Sequence, residues 1–242
     1  VPLGHSEFSS VISKIKSTEP NVIFSTVVGD SVVALHRQYR AAGLDPAKMP
    51  MASLTTSENE VAAMGGDAAA GHFTSAPYFM VHKSPENEKF VAAYRKRCGD
   101  DKVTHFVSEP CYFQMYMFKQ AVEKLANSDI TPDTIREAIK GVELIAPQGK
   151  VLLERENLHT WLWPKIAVAK SDGQFEVLKD SAEWKKPDPY AAWAGSSRDG
   201  WPLAGDAASE WVPHCYGMVG VARDLALSTG SGAELYAIIG HS

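Results

Sequence analysis

An α/β fold around a parallel sheet is predicted by three observations. Short β-branched runs alternate with amphipathic stretches at helical spacing from residue 6 to residue 79. Turn or capping signals separate them. From residue 84 the pattern becomes helical, and from residue 150 it turns into alternating strands.

In chain order, Phe8, Val11, Ile12 and Ile15 mark one face of a helix over 6–18, which Glu19-Pro20 ends. Residues 21–28 (NVIFSTVV) suit a strand buried on both faces, followed by the turn Gly29-Asp30-Ser31. Leu35 and Tyr39 face inward from a helix over 32–42 that Gly43 stops. Met51–Thr55 is the next strand. Ser57-x-x-Glu60 is a capping-box pattern that opens a helix ending near Gly65-Gly66. Residues 71–79 form a third strand. Further on, Ser84-Pro85 opens one helix, residues 108–126 form a longer one, and Thr131-Pro132-Asp133 opens another that Lys140-Gly141 closes. Tyr112, Met115, Tyr116 and Phe118 are expected to form the core stripe of the long helix. Strands are expected at 150–154, 160–170 and 174–178, with a hairpin turn at Ser171-Asp172-Gly173.

Charge and composition narrow the function classes. The 242 residues carry a net charge of -5 and no Lys/Arg-rich run, which argues against a nucleic-acid partner. No apolar stretch reaches the roughly 18 residues that suggest a membrane span. Cys98, Cys111 and Cys215 are widely spaced and contain no C-x-x-C, so they read as buried free thiols. The tail from Ala191 is atypical. It holds 8 of the 18 glycines, and its only basic residues are Arg198 and Arg223. It is expected to be disordered or foreign to the fold.

Ligands of open parallel sheets bind beyond the carboxyl ends of the strands. Two such ends are legible, at residues 26–31 and at residues 55–58. Thr55, Thr56 and Ser57 supply more hydroxyls than one helix cap requires. With the backbone at Val28 and Gly29 they suit a small neutral polar ligand or an anion. Thr55, the last strand residue, is the better candidate to reach a cleft.

Catalytic and metal motifs are weak. Gly29-Asp30-Ser31 resembles a hydrolase start, but none of the eight histidines has Asp three residues before it. His214-Cys215 lacks partners at ligand spacing. Glu154, Glu156 and His159 read as solvated hairpin residues. No glycine-rich nucleotide motif occurs, and no cofactor or metal is expected.

At these same strand ends the chain resembles the urea-binding component of urea ABC transporters, and more widely the short-chain amide and urea-binding group. The matching stretches are residues 21–29 (NVIFSTVVG), 52–61 (ASLTTSENEV), 71–79 (GHFTSAPYF), 146–149 (APQG), 160–166 (TWLWPKI) and 187–190 (PDPY). The resemblance spans roughly residues 1–190. It implies a type I periplasmic-binding fold: two Rossmann-like lobes joined by crossovers, closing on ligand by a hinge, with the N-terminal part of the first lobe missing here. Residues 1–78 would form most of the second lobe, 79–145 the returning helical part of the first, and 146–190 the return strands of the second. The first Thr of the motif carries over to Thr55 as a ligand contact, with Thr56, Val28 and Gly29 lining the same cleft. The implied role is capture of urea or a short-chain amide for a membrane permease, in the periplasm and without catalysis. The alternatives are a cytoplasmic amide-sensing regulator of the same fold and an amide hydrolase.

Overall fold

The structure, a computed structural model, describes residues 1–126, 129–187 and the backbone of 236–238. The larger unit is a sheet with helices against it. Its elements are α1 (Ser9–Thr18), β1 (Ile23–Ser25), α2 (Asp30–Ala41), β2 (Met51–Ser53), α3 (Glu58–Met64), α4 (Gly66–Ala69) and β3 (Phe73–Ala76). β1 pairs parallel with β2 (Ile23 opposite Met51), and β2 pairs parallel with β3 (Ala52 opposite Phe73). Parallel neighbours need crossovers, and α2, with the α3–α4 pair, supplies them.

The chain then passes through residues 77–84 into a helical unit. This unit contains α5 (Pro85–Cys98), α6 (Ser108–Leu125), α7 (Pro132–Ile139) and a small antiparallel sheet of β4 (Glu143–Ala146), β5 (Gly149–Leu153) and β6 (Thr160–Trp161). β7 (Lys165–Ala169) and β8 (Phe175–Asp180) return to the larger sheet, β7 antiparallel to β3 with Ala76 opposite Lys165. β9 (Tyr236–Ile238) adds parallel to β1, so the larger sheet runs β8-β7-β3-β2-β1-β9.

Hydrophobic burial explains why these runs fold together. Ile12 and Ile15 of α1, Leu35 and Tyr39 of α2, Ile23, Met51 and Phe79 share one buried cluster. Phe113 and Met117 of α6 pack with Val142, Ala146 and Val151 in a second cluster. Gly66 is required where α4 meets the β7–β8 turn, because a Cβ there would lie 2.1 Å from the carbonyl oxygen of Ser171.

Several expectations are corrected. The core stripe of α6 is Glu109, Phe113, Met117 and Ala121, one residue every helical turn. Met115, Tyr116 and Phe118 are exposed, and Tyr112 is half-buried. Aromatic content alone did not indicate the face, because it runs all round this helix. Cys98 and Cys111 are exposed thiols on α5 and α6, away from both clusters, and Cys215 lies outside the described residues. The run 160–170 is two strands in two sheets, because Pro164 lacks the N–H a continuous ladder needs. The expected return segment 146–190 therefore divides: β5 and β6 stay with β4, and only β7 and β8 rejoin β3. Residues 188–190 and the tail 191–242 lie outside the described residues, apart from the backbone of β9.

Candidate functional site

The strand ends of the larger sheet are knit together by hydroxyl groups. Ser53 closes β2 by accepting hydrogen bonds at Oγ from the N–H of Thr55 (3.1 Å) and of Thr56 (3.2 Å), a local side-chain turn that competes with strand continuation. Thr55 Oγ1 then donates to the carbonyl of Val27 at 2.5 Å and lies 3.2 Å from Ser53 Oγ. From β3, Thr74 Oγ1 donates to the carbonyls of Ser53 (3.1 Å) and Thr56 (2.9 Å). The two expected site segments, 26–31 and 55–58, are thereby joined at Val27 and Thr55.

The expected site residues differ in what they leave free. Thr55 is half-buried, and its hydroxyl hydrogen is committed to Val27. What remains on that oxygen is acceptor capacity. Thr56 is buried, and its Oγ1 has no hydrogen-bond partner among the described residues. Val28 is 39 % exposed. Gly29 has φ 63°, a left-handed conformation that glycine adopts without penalty, and the space around its Cα is open.

Ser57 serves as a cap. Its Oγ accepts from the N–H of Asn59, and both its N–H (2.7 Å) and its Oγ (2.5 Å) donate to Glu60 Oε2. Ser57→Ala is expected to cost about 1 kcal/mol, read as a lower midpoint in guanidinium denaturation. An unchanged midpoint would mean the cap contributes nothing.

Sequence reasoning passed over the ionisable groups behind these strand ends. Glu58 is 1 % exposed, accepts from the N–H of Met80 at 2.7 Å, and is pushed up to about 7 by burial, with the neighbouring Glu60 acting the same way. Glu109 is equally buried, accepts from Gln148 through both its backbone N–H (3.2 Å) and Nε2 (2.9 Å), and is pushed up to about 7 by burial. Lys165 is buried at the start of β7, 3.2 Å from Asp180, and burial lowers its pKa. A Glu at the start of a helix reads in sequence as a solvated dipole partner, so nothing local flagged Glu58 as buried.

Among the described residues, none of the weaker motifs assembles a reaction centre. Ser31 Oγ is buried and has no hydrogen-bond partner there, a histidine base included. Glu154 accepts from the Trp161 indole at 2.8 Å. No group of three metal-ligating side chains occurs among the described residues, and His214 and Cys215 lie outside them. A cavity of about 520 Å³ lined by Arg37, Arg40, Gly65, Gly66 and Ser171 lies beside the β7–β8 turn, at the opposite end of the sheet from these hydroxyls.

Residues 1–195 match the family described as periplasmic binding protein domain. The chain belongs to that family. Its α/β architecture is the type I periplasmic-binding fold, of which it covers part. Over 194 residues it is 28% identical to "Leu/Ile/Val-binding protein homolog 6" of Brucella suis, covering 78% of this chain and 49% of that protein. A solute-binding protein of an ABC transporter from Rhodopseudomonas palustris BisB5, solved with 3,4-dihydroxybenzoic acid, shares the fold with a TM-score of 0.68 at 24% identity, over 77% of this chain and 52% of that one. "Limonene hydroxylase" of Geobacillus stearothermophilus is 30% identical over 129 residues, which is 22% of its length. The chain thus spans about half the length of the solute-binding relatives it matches. No helix among its described residues is long and apolar enough to cross a membrane.

Proposed function

We propose that this periplasmic-binding-protein domain is the ligand-capturing part of an ABC transporter's solute receptor, and that its solute is urea or a short-chain amide. The observation that carries the reading is the state of Thr55. Its hydrogen is spent on Val27, so its oxygen offers a ligand lone pairs only. A ligand meeting it needs a hydrogen-bond donor, which urea and amides supply as N–H; an amino acid's ammonium and a hydroxybenzoate's O–H are donors too, and the test below separates them. Val28 and Gly29 stand open on the neighbouring strand end, where unshielded backbone can serve the ligand's carbonyl. Capture by hinge closure needs no bond chemistry, and the receptor would hand its solute to a permease from the periplasm. The Brucella relative is named for leucine, isoleucine and valine and the Rhodopseudomonas protein was solved with a dihydroxybenzoate, so both ligand classes belong in the test.

The test is thermal unfolding with millimolar urea, acetamide, leucine or 4-hydroxybenzoate. A midpoint raised by urea or acetamide alone supports the reading, because a ligand of the native state stabilises it by mass action. A rise with leucine alone replaces amide by amino acid. No rise with any of them removes the reading for this chain. Thr55→Val is expected to weaken amide binding about tenfold in calorimetry, a loss of roughly 1–1.5 kcal/mol, while Thr55→Ser keeps most of the affinity. Equal affinity in the Val variant would take Thr55 out of the site.

A further inference from the structure

The first passage between the two units is held in an unusual way. Met80 lies midway along residues 77–84, between β3 and α5. Its N–H donates to Glu58 Oε1 of α3 at 2.7 Å, on the side of the larger sheet. Its carbonyl accepts from Asn87 Nδ2 of α5 at 2.9 Å, on the side of the helical unit. The same Nδ2 donates to the carbonyl of His82 at 2.6 Å, and Asn87 Oδ1 accepts from the Tyr78 hydroxyl at 2.7 Å. One residue of the connecting segment is therefore gripped from both units by buried side chains.

The grip from α3 is chemically incomplete. Glu58 is 1 % exposed, and its second oxygen, Oε2, has no hydrogen-bond partner among the described residues. The ionisable groups acting on it are acids. Glu60, on its own helix, is already committed to Ser57. Tyr78, on the connecting segment, is tied to Asn87 and Thr104, and Glu109 of α6 acts on that same phenol. No Lys, Arg or His forms an ion pair with Glu58 among the described residues. A carboxylate here is a desolvated charge without a counter-ion, held only by backbone N–H groups, and burial outweighs those bonds in favour of the neutral carboxyl.

We propose that Glu58 is a proton-operated latch on the hinge: neutral, it seats Met80 in a dry clamp; ionised, it draws in water and frees the segment that joins the two units. The sign follows from burial. With the folded pKa near 7 and an ordinary carboxylate pKa once the segment opens, opening becomes easier as pH rises from about 4.5 and levels off above about 7. The latch goes beyond the solute reading and needs no ligand to be tested.

The experiment is hydrogen exchange at the Met80 amide, corrected for intrinsic base catalysis and compared with Glu58→Gln. The Gln side chain can accept the same N–H but cannot ionise. Wild-type protection is expected to fall about tenfold per pH unit between pH 5 and pH 7 and then flatten, while the variant stays level. Equal pH slopes in the two proteins, or a flat wild-type profile, would overturn the latch. If Glu58→Gln does not fold, the ¹³C carboxyl titration of wild-type Glu58 decides. An inflection near pH 7 that tracks Met80 exchange supports it, and an inflection in the ordinary carboxylate range rejects it.

Discussion

Phe79→Ala is expected to lower stability by about 3–5 kcal/mol, enough to consume a large share of a typical domain's margin. Phe79 is fully buried. It leaves the connecting segment to pack on Phe175 of β8, ring centroids 5.1 Å apart. It belongs to the cluster that also holds Leu35, Tyr39 and Met51. Its partner comes from a strand almost a hundred residues later, so local relaxation cannot refill the void. Guanidinium denaturation reads the cost, and Phe118→Ala on the exposed face of α6 serves as the contrast, expected at under about 1 kcal/mol. Comparable losses in the two variants would mean that the core assignment is wrong.

Acid should unfold this protein through two histidines. His36 and His72 are buried with their rings edge-to-face at 4.7 Å, and Tyr39 closes on His72 at 4.9 Å. His72 Nδ1 accepts from the N–H of Met51 at 2.9 Å, so its proton sits on the other nitrogen and a second one would break that bond to β2. Burial holds His36 down to about 4. It holds His72 down to about 2, with the charges of His36 and Arg40 adding to the effect. Both folded values lie below the unfolded imidazole value. The stabilisation is therefore complete above about pH 6.5 and is lost as pH falls toward 4, by on the order of several kcal/mol for the pair. Thermal denaturation across that range checks it, with His36→Gln expected to lose less stability than the wild type as the pH falls. Parallel pH profiles in the two proteins would contradict the account. Glu58 and Glu109 act with opposite sign, losing their contribution as pH rises through about 7. Between about pH 4.5 and pH 6.5 the two effects oppose each other, so the histidine share is read from the difference between the wild type and His36→Gln.

What was legible in the sequence was local. Ser57-x-x-Glu60, Ser84-Pro85 and Thr131-Pro132 cap helices as read, because capping depends on residues within one turn. The strand ends after β1 and β2 were legible from β-branched runs followed by Gly or hydroxyl residues. Three features that depend on distant partners were not legible. The buried face of α6 is chosen by β4 and α7, which pack against it. Glu58 is buried because Met80 comes down on it. β4, a weakly apolar Glu143–Ala146, is a strand because β5 folds back on it with Ala146 opposite Gly149. Around the candidate site, Thr55 stood out as a surplus hydroxyl, but the Thr74 bridge that secures the same turn gave no signal, since a Thr within a β-run is ordinary.

The three passages between units leave the larger sheet from neighbouring strands. One departs after Ala76, one arrives at Lys165, and the third departs after Asp180 to return to the small sheet, where Lys185 bridges Leu162. Lys165 faces both Ala76 and Asp180 across its two ladders, and Ser75 Oγ donates to its carbonyl at 3.0 Å. Tethers fixed side by side resist sliding and twisting of one body against another. Bending about the line through the anchors stretches none of them, so the soft motion they leave is a pivot whose axis crosses the sheet at Ala76, Lys165 and Asp180.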